Sequence, residues 1–456
     1  MKPLIALAAL ALAACESGGA YRPSAEAPTP KPAPLPDGEA YGAAIGAGEI
    51  RWSARTLADD FVQIVFYAED GRRYPSIHRW PGPVRVAIAA PSLAPYRSTL
   101  EALAARIGRE APNARVVVAP PGEADEAEIV IRGAPRDAIR RTAPDVRCFF
   151  APHRGDLASY DAARLAGAPG WSREGGVEAI TIYVPDNPAP FEARTCIEEE
   201  VMQALGLRND LHRLEDTIFN DDAAHAAATA TDMAMLQALY DPRFDASLGE
   251  EAARRAATPL FAELTGGADR RLRRPVTDRV FAAALGELLR ADDATSRRRA
   301  SLRLSRAVED LQPDDHRRGV ALIAEAAAAR KDGRQNERTP LLRKAKAHFA
   351  RTLGPRNVRA ADAGARLGAA LFRDGLYGEA VEEFEAAVPI LIAHRRDEAT
   401  AHSLRVWALA LGCLTRFDEA HARASEALAW AAYAYGSEGE AVRDWRRAFR
   451  ESGIRP

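Results

Sequence analysis

The sequence predicts an α+β domain followed by an all-helical repeat domain, set behind a targeting segment and a proline-rich tether. Three observations predict this order. Between about 49 and 265, short β-type runs alternate with helix-type periodicities. From 276 to 456 every periodic stretch is helical, and one pattern of small and large apolar residues recurs about 40 residues apart. Before 49 the chain carries an apolar run and then prolines.

After Lys2, residues 3 to 14 are Pro, Leu, Ile and Ala only. That is short of the roughly 20 apolar residues needed to span a bilayer, and it has the length of a signal-peptide core. The run ends in Leu12-Ala13-Ala14-Cys15, which resembles the bacterial lipobox. The resemblance implies that 1–14 are removed and that Cys15 becomes a lipidated N-terminus. Several acyl chains anchor stably where a single one binds marginally. Glu16 follows the cysteine in place of the Asp that marks inner-membrane retention, so the expected location is the outer membrane, facing the periplasm. Residues 15–48 are the tether: Pro23, Pro28, Pro30, Pro32, Pro34 and Pro36 punctuate a segment too poor in large apolar residues to fold.

In the first domain, 56–68 read as a helix with Leu57, Phe61, Val65 and Phe66 on one face. Residues 84–88 are a strand, and Leu100, Leu103 and Ile107 predict a helix over 95–109. The runs 116–118 and 129–131 are strands. Ile180, Ile182 and Val184 alternate with Thr181 and Tyr183, which predicts a half-buried strand. A helix follows from about 192 to 205, stopped by Gly206. The net charge of −2 gives no reason to expect nucleic acid as a partner.

An oxidising compartment makes the cysteines informative. Cys148 and Cys196 share the first domain and are expected to pair, closing a loop of about 48 residues worth roughly 4 kcal/mol in the chain-entropy model. Cys413 is then expected to be a buried small apolar residue. Gly266-Gly267 and the basic run 270–275 mark the domain boundary. That run, like Arg297-Arg298-Arg299, reads as a solvated face.

In the helical part, Leu367, Gly368, Leu371, Ala380, Phe384 and Ala387 fall at tetratricopeptide-like spacing. Trp407, Ala408, Leu411, Ala420, Ala424 and Ala427 repeat the pattern, and Ala345 with Phe349 suggests a more degenerate unit before them. The resemblance to tetratricopeptide repeats implies stacked helix pairs whose curved surface holds a protein or peptide.

The most specific stretch is Cys196-Ile-Glu-Glu-Glu-Val-Met-Gln-Ala-Leu-Gly-Leu-Arg-Asn-Asp210. A helix puts Glu199 and Gln203 on one face. Set against the metzincin pattern H-E-x-x-H-x-x-G-x-x-H, Glu199, Gln203 and Asn209 take the three His positions, Glu200 falls on the general base, and Gly206 is kept. Phe219 stands where such enzymes carry the methionine of their Met-turn. The pattern C-x-x-E-E-x-x-Q-A-L-G-L-x-N-D, then I-F-N-D, then Leu239-Tyr240-Asp241-Pro242-Arg243, resembles the bacterial domain of unknown function numbered 2927, as does Trp80 with 83–86. The resemblance covers roughly 50 to 260 and implies a zincin-like fold with no established activity.

Zinc prefers imidazole and thiolate, so Glu199, Gln203 and Asn209 make a weak ligand set, and no cofactor is expected. His212 and His225 are the nearby imidazoles. Glu199, Asp210, Asp221 and Asp222 would suit calcium better than zinc, but without EF-hand spacing. The same residues suit a buried hydrogen-bonded network, with Asn220 and Asp221 capping the next helix. The expected function is a non-catalytic zincin-like domain beside a partner-binding repeat scaffold. The alternative is a divergent metallopeptidase with Glu200 as general base and zinc on the atypical set. A glycan hydrolase built on Glu198, Glu199 and Glu200 is disfavoured, because neighbouring helix positions diverge by about 100°.

Overall fold

A computed structural model of the chain describes residues 50–68, 71–74, 76–144, 146–166, 179–222, 224–266, 278–435 and 439–454. The expectations for 1–14, Cys15, the tether 15–48 and the basic run 270–275 lie outside the described residues. The chain divides into two compact units: among the described residues one runs to Arg279, and the other begins at Val280 and also takes in Ala189–Phe191.

The first unit opens with α1 (Ala54–Phe66), whose N-terminus is capped by Ser53: its hydroxyl accepts from the Thr56 amide at 3.2 Å. That cap starts the helix two residues earlier than its apolar face suggested. Leu57, Phe61, Val65 and Phe66 are buried, with Phe61 edge-on to Phe244 and Phe261. There follow β1 (Val84–Ile88), α2 (Arg97–Glu110), β2 (Val116–Val118), β3 (Ile129–Ala134), α3 (Arg136–Thr142), β4 (Phe149–Ala151), α4 (Leu157–Leu165) and β5 (Ile180–Pro185). The sheet order is β2-β1-β3-β5-β4. β1 runs parallel to β2 and β3, β3 runs parallel to β5, and only β4 pairs antiparallel, on the edge.

β5 departs from the half-buried strand expected of its alternation: all six residues are buried. The polar positions turn to neighbours instead of water. The Thr181 hydroxyl donates to the His153 carbonyl at 2.6 Å, and the Tyr183 hydroxyl to Asp156 at 3.2 Å. Parallel sheets are covered on both faces, so alternation in an inner strand need not mean exposure. Cys148 and Cys196 form the expected disulfide, with Cα atoms 6.0 Å apart. It joins the residue before β4 to α5 (Pro190–Ala204), the helix that carries the motif. The unit closes with α6 (Ala230–Tyr240) and α7 (Glu250–Leu264).

The second unit is helical throughout its described residues: α8 (Asp278–Arg290), α9 (Ala294–Glu309), α10 (Arg317–Lys331), α11 (Gln335–Leu353), α12 (Val358–Arg373), α13 (Tyr377–Ala393), α14 (Asp397–Cys413), α15 (Phe417–Tyr435) and α16 (Glu440–Glu451). From α10 to α15 each helix packs on the next. The turns close alike: the amides of Arg334, Leu376, Arg396 and Arg416 each reach the carbonyl five residues back, at 2.9 Å. In each turn the residue just before that amide is left-handed: Gly333, Gly375, Arg395 and Thr415. Leu367, Leu371, Ala380, Phe384, Ala387, Ala408, Leu411, Ala420, Ala424 and Ala427 are buried. A methyl group on Gly368 would lie 2.9 Å from the Phe384 ring, so a side chain there would have to displace that ring where the two helices approach.

Two expectations are corrected here. Arg297 is buried, not solvated: its guanidinium bonds Asp332 and the carbonyls of Ala291 and Asp292, fixing α9 to the turn after α10. Cys413 ends α14, where it is half-buried and not part of the core.

Candidate functional site

α5 ends where Gly206 adopts a φ of +123°. A Cβ there would sit 2.3 Å from the His78 carbonyl oxygen, so no other residue fits. A helix leaves its last carbonyls unpaired, and here two distant side chains take them. Trp80 Nε1 donates to the Ala204 carbonyl, and the Tyr240 hydroxyl to the Leu205 carbonyl, both at 2.9 Å. The same Tyr240 oxygen accepts from the Trp80 amide at 3.3 Å. Trp80 and the Leu239-Tyr240 stretch therefore clamp the end of the motif helix.

Arg208, which sequence reasoning passed over, is buried just beyond the turn. Its Nη2 donates to the carbonyls of Val65 (2.9 Å) and Ser76 (3.3 Å), and its guanidinium lies 3.8 Å from the Tyr74 ring centre. Burial pushes its pKa down to about 10, with Tyr74 opposing.

The motif side chains separate. Glu200 and Gln203 are buried and Glu199 is half-buried. Gln203 Nε2 donates to Asp210 Oδ1 at 3.1 Å. Asn209 is drawn to α1, where its Nδ2 donates to the Gln63 carbonyl at 3.0 Å. Gln203 thus pairs with Asp210, and Asn209 pins a separate helix. His212 Nε2 lies 3.6 Å from Asp221 Oδ2, and His225 Nε2 meets the Glu215 carbonyl at 3.1 Å. Asp222 serves its own loop, accepting from the Ala224 amide at 2.9 Å. Among the described residues no three His, Cys, Asp or Glu side chains converge on one point. Two amides committed to hydrogen bonding and one flanking carboxylate do not fit zinc, which takes His, Cys or ionised carboxylate.

The loop from 211 to 229, with Phe219 fully buried, is held by three carboxylates. Glu198 Oε2 accepts from the Ala228 amide at 3.1 Å. Asp216 takes Trp52 Nε1 and the Thr231 hydroxyl, each at 2.9 Å. Asp232 accepts from the amides of Ile218 (3.1 Å) and Thr229 (2.6 Å). Thr229 and Asp232 form a capping box on α6, so that pair caps the helix in place of the expected Asn220 and Asp221. The signal was present as Thr-x-x-Asp before an apolar run. Burial pushes both Glu198 and Asp232 up to about 7: their backbone donors oppose the shift, as does Arg106 for Glu198, while each carboxylate has an acidic neighbour that adds to it.

No curated protein matches this chain in sequence. Residues 54–258, from α1 through the sheet, the motif helix and its loop into α7, match the family model described as Protein of unknown function (DUF2927).

Proposed function

We propose that this chain is a lipid-anchored protein of the cell envelope. In this reading its first domain is a non-catalytic, zincin-like fold, and its tetratricopeptide-like helices hold a protein or peptide partner. One observation carries the non-catalytic part. At two of the three positions where a zincin places its histidines stand amides, and each donates its N–H to a fixed acceptor, Asp210 or the Gln63 carbonyl. The layout of the motif supports the zincin-like part: a helix ends at a left-handed glycine, and the chain then returns beside it. The lipobox-like Cys15 and its tether support the anchoring. The recurrence of like turns at Gly375 and Thr415, about 40 residues apart, supports the repeats.

The test is elemental mass spectrometry of the chain from residue 16 onward, made in an oxidising compartment, beside Glu199→Ala and Gln203→Ala. The reading expects no stoichiometric zinc after purification without chelator, and none after adding zinc back. About one equivalent of zinc that both variants lose would overturn it in favour of a metallopeptidase using Glu200.

A further inference from the structure

Three Arg residues that make no ion pair among the described residues stand at neighbouring helix ends around the turn between α10 and α11. Arg330 lies in the last turn of α10, Arg338 in the first turn of α11, and Arg373 is the last residue of α12. Helices packed in succession with short turns run antiparallel, so these three ends lie on one side of the unit. A 2.6 Å hydrogen bond from the Thr339 hydroxyl to Asp374 ties the start of α11 to the end of α12.

The nearby carboxylates are engaged. Asp332 pairs with Arg297 and Arg334, Glu337 with Arg334, and Asp362 with Arg366. Arg330, Arg338 and Arg373 make no ion pair among the described residues. Arg338 is 7% exposed, and its Nη1 has no hydrogen-bond partner there. Burial pushes its pKa down to about 10, and the charges of Arg373 and Arg330 add to the shift, with Asp374 opposing. A buried guanidinium nitrogen with nothing to donate to costs free energy, and like charges around it raise that cost.

We propose that this cluster is an anion site for a terminal phosphate group, held by Arg338 at its centre with Arg330 and Arg373 at its rim. Charge selects the ligand. Three guanidiniums against Asp374 leave two positive charges, which one carboxylate does not balance. A phosphate monoester brings close to two negative charges and three acceptor oxygens, and it takes paired bonds from more than one Arg. The phosphate comes either free or on a lipid headgroup, and the site does not depend on the partner-binding role proposed above.

The test titrates residues 16–456 with inorganic phosphate by calorimetry at low ionic strength. A second arm measures cosedimentation with phosphatidylcholine vesicles carrying phosphatidic acid, a monoester, or phosphatidylglycerol, a diester. Arg330→Ala and Arg373→Ala lie at exposed positions and keep the fold; Arg338→Gln is accepted only if its far-UV circular dichroism matches the parent. Saturable phosphate binding, weakened at least tenfold by Arg373→Ala and by Arg330→Ala, is expected. Binding confined to phosphatidic acid vesicles, with the same loss in the variants, assigns the lipid source. Binding that the rim variants leave unchanged, equal binding to both vesicle types, or no binding by any probe at 10-fold lower salt, overturns the proposal.

Discussion

Replacing Glu198 by Gln changes how the stability of the first domain responds to pH. In the folded chain burial lifts this carboxyl from 4.5 to about 7. Between those values the folded form binds a proton that the unfolded chain has released, so stability falls as pH rises from about 5 to 8. One pKa unit corresponds to about 1.4 kcal/mol, so Glu198 contributes roughly 3 kcal/mol to that fall, as an upper limit. Gln cannot ionise, and its carbonyl still accepts from the Ala228 amide. Its NH2 group adds a donor to a buried place, at a cost of about 1–3 kcal/mol if it stays unpaired. That cost is the same at every pH. The quantity to read is therefore the parent-minus-variant difference across pH, obtained from urea unfolding at pH 5, 6, 7 and 8 with the disulfide intact. The variant should gain at most about 3 kcal/mol on the parent between pH 5 and pH 8. Asp232 moves in the same direction for the same cause and repels Glu198, so it steepens the parent curve and remains in the variant. Parallel parent and variant curves would refute the burial of a titrating carboxyl at 198.

Three further outcomes follow from the packing. Cys148→Ala with Cys196→Ala should cost roughly 4 kcal/mol, seen as a lowered thermal midpoint that reductant no longer shifts. Trp80→Phe removes the donor from the buried Ala204 carbonyl and should cost about 1–3 kcal/mol in denaturant unfolding, with Tyr240→Phe in the same range through Leu205. Thr415→Gly should stabilise the helical unit by about 1 kcal/mol in thermal unfolding: a β-branched residue at φ +60° costs about 1–2 kcal/mol, and glycine gives back about 0.5–1 in chain entropy.

How much of this was legible in the sequence depends on the range of the interaction. β1 and β2 stand where their valine-rich runs put them, β1 mostly buried inside the sheet and β2 on its edge with Val117 exposed. The Cys148–Cys196 pair was legible from the placement of both cysteines in one domain, given the expectation of an oxidising compartment. β4, three residues long, and the short α3 and α4 were not, since too few residues carry a period. β5 was recognised as a strand but misjudged in burial, because Thr181 and Tyr183 find partners contributed by 153–156.

The site follows the same division. The order Glu199, Glu200, Gln203, Gly206, Asn209 was readable as a motif, and Gly206 does turn the chain. What the side chains do was not readable, since each answer lies far off in sequence. Asn209 bonds the backbone of α1, and Trp80 and Tyr240 finish a helix that neither belongs to. Arg208 shows the cost of reading the motif as ligands only. It sits between two matched positions, and its guanidinium holds the carbonyls of Val65 and Ser76 against the Tyr74 face. The stretch 196–210 thus spends Gln203, Arg208 and Asn209 on fastening the end of α5 to neighbouring chain. That use accounts for amides at those positions, since a carboxylate in either place would have no N–H to give to Asp210 or to the Gln63 carbonyl.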